Sequence, residues 1–227
     1  MNFSIADDEG VRLAELDTSG PAPTRLVLAG PDKVTVREGA VLDIDVAGDP
    51  AAVDALRFNL KDGALAIMRA NRSKAKGTAR VTVTMPATRE IVLAGSGDIE
   101  ASTLSGDAGV DIAGSGRVAI GRVAAQKLDV NVMGSGTLAA TGSADRLDLN
   151  VAGSGTLAGR GLKVERAEVN IAGSGTGEFA SDGKVEASIA GSGDVVVHGR
   201  ASCTINAVGS GTLRCRDDGP AAATAAR

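Results

Sequence analysis

Seven serines, one histidine and two cysteines are the residues of this chain that could act chemically. The serines are Ser96, Ser115, Ser135, Ser154, Ser174, Ser192 and Ser210, and each stands directly between two glycines. A serine nucleophile on a strained elbow needs Gly-x-Ser-x-Gly and a histidine partner. His198 is the sole histidine, and one imidazole cannot serve seven sites. Glycine-rich turns can also cradle phosphate, but a phosphate loop needs a following Lys and Ser/Thr opening a helix. Here the tripeptides are followed by Asp98, Arg117, Thr137, Thr156, Thr176, Asp194 and Thr212, each leading into a strand-like segment. The serines therefore read as turn residues carrying a hydroxyl ladder.

Two further chemistries can be weighed from the same columns. Calcium-binding solenoids place an Asp regularly at the turn, whereas only Asp98 and Asp194 stand there among seven turns. The Thr column at 137, 156, 176 and 212 is interrupted twice, and Thr is a good strand residue in any case. No catalytic residue, metal ligand or cofactor is expected.

Composition narrows the class of partner. The chain has 227 residues, 31 glycines, three Phe, no Trp and no Tyr, so its interior must be built from Val, Leu, Ile and Ala. Basic and acidic residues number 24 and 28, giving a net charge of −4. They are intermixed, so the basic patch of a nucleic-acid binder is missing, as are stacking aromatics for single strands. No apolar run is long enough to span a membrane. The N-terminus, MNFSIADDEG, lacks the basic and apolar regions of a secretory signal.

The elements that carry these residues are set by a repeat. Gly95-Ser96-Gly97, Gly114-Ser115-Gly116, Gly134-Ser135-Gly136, Gly153-Ser154-Gly155, Gly173-Ser174-Gly175, Gly191-Ser192-Gly193 and Gly209-Ser210-Gly211 recur at spacings of 19, 20, 19, 20, 18 and 18 residues. Two positions before each stand Leu93, Ile112, Val132, Val151, Ile171, Ile189 and Ala207. Four before stand Ile91, Val110, Val130, Leu149, Val169, Ala187 and Ile205. Apolar residues at every second position are the pattern of a strand with one buried face. Between them run Asp111, Asn131, Asn150, Asn170, Ser188 and Asn206, then an acidic column (Asp129, Asp148, Glu168, Glu186) and a basic one (Lys127, Arg146, Arg166, Lys184). Each repeat is expected to be strand, turn, strand and a variable return segment, with glycine on both sides of the serine to permit positive φ.

About 19 residues cannot make a four-stranded propeller blade, which needs about 40. They suffice for one coil of a solenoid. Stacked coils bring equivalent residues about 4.8 Å apart, where amides can form ladders and the basic column offsets the acidic one. The expected fold is all-β: a right-handed parallel β-helix, handed by the crossover rule for parallel strands. Residues 24–94 lack the tripeptide but alternate like strands, with Asp49-Pro50 to Leu56 fitting one helical turn. They form a β-rich cap or irregular coils, because an open solenoid end exposes strand edges. The repeat helix covers 95–216. Residues 1–23 read as a partly disordered leader and 217–227 as a disordered tail.

The recurring [Ile/Val]-Ala-Gly-Ser-Gly-x-[Val/Leu] unit, with Asp62-Gly63-x-Leu65-x-Ile67 and Val-Thr-Val-x-Met-Pro before the first repeat, resembles the bacterial "putative auto-transporter adhesin, head GIN domain" family, a domain of unknown function. The resemblance covers roughly residues 24–216. It implies a right-handed β-helix, a periplasmic or cell-surface setting in Gram-negative bacteria, and no enzyme activity. Members usually carry an export signal, which this chain's N-terminus does not show.

Cys203 and Cys215 lie six residues before and six after Gly209, in inward columns filled elsewhere by Leu128, Leu147 and Val185 and by Ile120, Ala140 and Val197. They are either two small buried thiols of the last coil or a disulfide closing it, the pairing that fits the family resemblance and an exported protein.

The function expected is a non-catalytic cell-envelope or surface scaffold, adhesin-like, that presents a β-helical face to a surface ligand or protein partner. Nucleic acid and membrane spanning are not expected. The alternatives are a carbohydrate-active enzyme on the same fold, or an intracellular structural protein that self-assembles. A capped solenoid should be monomeric, while an uncapped end would favour a homo-oligomer.

Overall fold

The computed structural model describes residues 10–70, 73 and 75–217. Most of the leader's first half and all but the first residue of the expected tail lie outside them. The chain forms a β-solenoid of about 7 turns, with coils of roughly 19 residues.

Five coils are each one long extended segment: β8 (Asp98–Gly114), β9 (Arg117–Gly134), β10 (Thr137–Gly153), β11 (Thr156–Gly173) and β12 (Thr176–Gly191). The expected return segments are not loops. They stay in strand geometry, with register shifts such as those at Ala140/Gly142 and Gly159/Lys163 taking up the corners. The reason is that every coil pairs with a coil on each side, so backbone donors and acceptors find partners almost all round the perimeter. Below β8 lies β7 (Thr88–Gly95). Above β12 lie β13 (Asp194–His198), β14 (Ser202–Gly209) and β15 (Thr212–Arg216).

Pairing is parallel and follows the repeat: Asn131↔Asn150, Asn150↔Asn170 and Asn170↔Ser188 stand in register. Leu93, Ile112, Val132, Val151, Ile171 and Ile189 stack into one buried column. Burying each such side chain contributes on the order of 1.5–3 kcal/mol.

The turn glycines divide into two jobs. The first of each tripeptide has φ between +114° and +129°, a region that L side chains avoid. The third does not have positive φ, contrary to the sequence expectation. It is buried against the neighbouring coil: a Cβ on Gly136 would lie 2.4 Å from Ile112 Cγ2, and one on Gly155 2.4 Å from Val132 Cγ1. The serine hydroxyls point to solvent and form no ladder. What binds the turns to one another is backbone, with Ser135 N donating to Gly114 O at 2.9 Å and Ser154 N to Gly134 O at 2.9 Å.

The N-terminal end is closed. β1 (Arg25–Ala29) and β2 (Lys33–Glu38) pair upward with β7 and β8, and downward with β5 (Ala64–Arg69) and β6 (Ala79–Met85). The earliest strands therefore sit inside the stack, beneath later chain and above still other later chain. β3 (Asp43–Gly48) lies antiparallel along β6, and β4 (Leu56–Lys61) antiparallel along β5. The short helix α1 (Pro50–Asp54) joins them, where the helical turn was expected. Ala52, Leu56 and Phe58 are buried and plug the base of the core.

Beside this plug, Asp32 is 1% exposed and receives Arg69 in a two-pronged pair: Nε to Oδ2 at 2.8 Å and Nη2 to Oδ1 at 2.6 Å. Ala79 N also donates to Oδ1, at 2.8 Å. Arg69 completes its donors on Ala75 O and Gly77 O. The bond to Asp32 raises the Arg69 pKa, against the opposing effect of burial.

At the other end the last coil has no coil above it among the described residues. Its inward positions Ile205 and Ala207 are consequently exposed, although their counterparts are buried in every earlier coil. Cys203 and Cys215 join across this coil in a disulfide with a Cα–Cα distance of 6.7 Å. They stand in register with Val185 and Val197.

Candidate binding groove

Outward-facing positions of a half-buried strand should be polar. One outward column here is not. The residues immediately before the turns are Ala94, Ala113, Met133, Ala152, Ala172, Ala190 and Val208. Met133 is 57% exposed and Val208 76%. This column was missed in the sequence because five of its seven members are alanines and each sits beside a glycine. The available signal was its regularity: an apolar residue on the solvent side of every coil.

From Ala113 to Val208 the column floors a groove of about 1010 Å³ that runs along the solenoid axis from Arg25, Val27 and Val92 to Asn206 and Val208. Eight strands contribute, so the groove is seven inter-strand steps long, roughly 34 Å. The amide column forms its side. Asn131 Nδ2 donates to Asp111 Oδ1 at 2.8 Å, Asn150 Nδ2 to Asn131 Oδ1 at 3.1 Å and Asn170 Nδ2 to Asn150 Oδ1 at 3.2 Å. The expected ladder is thus formed over four coils.

Beyond the amides stands the charged ladder. Lys127 Nζ reaches Asp129 at 2.7 Å and Asp148 at 3.3 Å, and Arg146 reaches Asp148 at 2.8 Å and Glu168 at 3.2 Å. Lys184 pairs with Glu186. Partial burial works to raise the Asp148 pKa, but the bonds from Arg146 and Lys127 prevail and hold it below the usual value. The bond to Asp129 raises that of Lys127.

The groove opens at its N-terminal end beside a polar pocket of about 410 Å³. Arg25 lines both, paired with Glu90 at 2.5 Å.

The sequence-marked chemistry lies elsewhere. The seven serines line the turn ridge. His198 closes β13, on a different stretch of the coil, where it bonds Glu178 Oε1 at 2.9 Å. Among the described residues no three potential metal ligands converge, and no helix is long and apolar enough to cross a membrane. In the Thr column Thr176 Oγ1 donates to Thr156 Oγ1 at 3.1 Å.

The "putative auto-transporter adhesin, head GIN domain" family matches residues 22–201, most of the length. This chain belongs to that family. Solved structures share the fold of this head GIN domain. A putative adhesin from Bacteroides fragilis is 20% identical with a TM-score of 0.77, covering 86% of this chain and 93% of its own. A protein described as a putative lipid binding protein, from Parabacteroides distasonis, is 21% identical with a TM-score of 0.66 over the same shares. A putative adhesin from Parabacteroides merdae is 17% identical with a TM-score of 0.62, covering 86% and 92%. No curated protein matches this head GIN domain in sequence.

Proposed function

We propose that this head GIN domain is a non-catalytic envelope or cell-surface module that binds its partner along the axial groove. The observation that carries the reading is the apolar outward column: six coils in succession expose Ala, Met or Val where polar residues are expected. Contiguous exposed apolar surface on a soluble face marks an interaction site. The family's adhesin description accords with binding, and the Cys203–Cys215 bridge accords with an oxidising compartment. Along the charged ladder Asp129, Asp148, Glu168 and Glu186 are each paired with a Lys or Arg rather than held as a free pair of carboxylates across a cleft, which is what a glycosidase needs.

The test has two parts. Alkylation without reduction, in fractionated native cells, should find the protein in the envelope with both cysteines blocked. Purified protein should sediment with isolated envelope material, and Ala152→Arg with Ala172→Arg should abolish this without lowering the melting temperature. Free thiols in a cytosolic fraction would overturn the setting, and full sedimentation of the double variant would overturn the groove.

A further inference from the structure

We propose that the groove holds a single alkyl chain, the tail of an amphiphile whose zwitterionic head sits in the polar pocket at Arg25; this rests on the groove being the binding surface.

Three occupants compete for a groove of this shape. A peptide brings an N–H and a C=O at every residue, and each costs free energy if buried unpaired. The groove cannot pair them as a sheet edge would. From β1 to β12 the backbone of its strands already bonds to strands on either side, as in Asp148–Gly153 with Asp129–Gly134, and the one open edge, that of β14, would take a strand lying across the groove and not along it. Its side-chain amides are linked to one another along the axis, from Asn170 to Asp111. A glycan would need pairing hydroxyls and a ring to stack on. The chain has no Trp or Tyr, and the two Phe among the described residues, Phe58 and Phe179, are fully buried. An alkyl chain needs neither. It asks only for contiguous methyl and methylene surface, which the column from Ala113 to Val208 supplies. The groove's length of roughly 34 Å exceeds the reach of one acyl chain, about half of a hydrocarbon core about 30 Å thick.

The N-terminal pocket says what the head should be. Its walls include Asp62, Glu90, Asp107, Asp111 and Asp129 against Arg25 and Arg89, five carboxylates to two guanidiniums. That balance repels a fatty carboxylate and attracts a cation. At the same time the Arg25 guanidinium, partly exposed and shared by groove and pocket, has N–H donors beyond the one it gives Glu90, and these can meet an acceptor oxygen. A head with both a cationic group and an anionic oxygen answers both requirements.

The probe is palmitoyl lysophosphatidylcholine below its micelle concentration, measured by equilibrium dialysis and native mass spectrometry on the full chain. One equivalent should bind saturably. Ala172→Arg and Met133→Lys should each weaken binding tenfold or more. Ala158→Arg, on another outward column, should leave it unchanged, and palmitate should bind at least tenfold more weakly. Equal loss in Ala158→Arg, palmitate binding as tight as the lysolipid, or no saturable binding would each overturn the proposal. In the last case, envelope sedimentation that still depends on Ala152 and Ala172 would leave the groove standing as the binding surface for another ligand.

Discussion

A Cβ placed on Gly136 would lie 2.4 Å from Cγ2 of Ile112, on the coil beneath. The glycine is required by a neighbour's side chain and not by its own backbone angle. Gly136→Ala should therefore destabilise the fold by roughly 1–3 kcal/mol, the usual cost of overpacking. Because Ile112 is the obstacle, Gly136→Ala combined with Ile112→Ala should cost less than the sum of the two. Gly134→Ala should show no such relief, since its Cβ would lie 2.5 Å from Gly114 O and φ is +114°. Urea denaturation of the three single variants and of Ile112→Ala combined with each glycine change, five proteins in all, checks this, and strict additivity at Gly136 would count against it.

The disulfide should act locally. Cys203→Ser removes a link across twelve residues on an end coil that has one neighbour coil. Amide protection should fall across 202–216 and stay unchanged in β8 to β11. Hydrogen exchange read by mass spectrometry resolves the two regions. A collapse of protection throughout would mean that the bridge holds the whole stack.

The Asp32–Arg69 pair predicts an asymmetry. Asp32→Ala leaves a guanidinium facing a dry pocket and should cost about 3–5 kcal/mol, whereas Asp32→Leu with Arg69→Met should be nearly neutral. Equal losses in both proteins would show that the backbone donor Ala79 N, not the charge, is what Asp32 serves.

Acid should loosen the charged ladder through Asp148. Its folded pKa lies below the ordinary value, so its stabilising effect is complete above the unfolded pKa of about 3.9 and fades as pH falls through the folded one. The partners are solvated, so the effect should stay below about 1 kcal/mol, a shift of about 2–4 °C in Tm. Melting curves from pH 6 to pH 2 should fall less steeply for Asp148→Asn than for the native chain.

Much of this architecture is legible in the sequence because a solenoid repeats its neighbours. Asn131, Asn150 and Asn170 announce their register simply by recurring, and the buried column from Leu93 to Ile189 follows from alternation. The order of the first strands is not legible. β1 and β2 alternate like any strands, and nothing in Arg25–Ala29 states that it will lie between β5 and β7. The groove was hidden for a different reason. Its floor is the outward side of strands whose inward side dominates the pattern, and its concavity depends on how a coil bends, which spacing does not encode. The two roles of the turn glycines were hidden as well, since φ at Gly134 and crowding at Gly136 produce the same letter.

The position of β1 also has a bearing on biosynthesis. Val27 emerges from the ribosome 65 residues before Val92, its upper neighbour, which at 5–20 residues per second is a delay of about 3–13 s. Its lower neighbour Ala66 arrives sooner. The oldest part of the chain must wait, unpaired on one side, for younger parts to be made. The Gly-Ser-Gly coils face no such delay, because each can lay itself on the one just finished. The assembly thus has a slow threaded base and a fast accreting shaft, and translational pausing should matter only for the base.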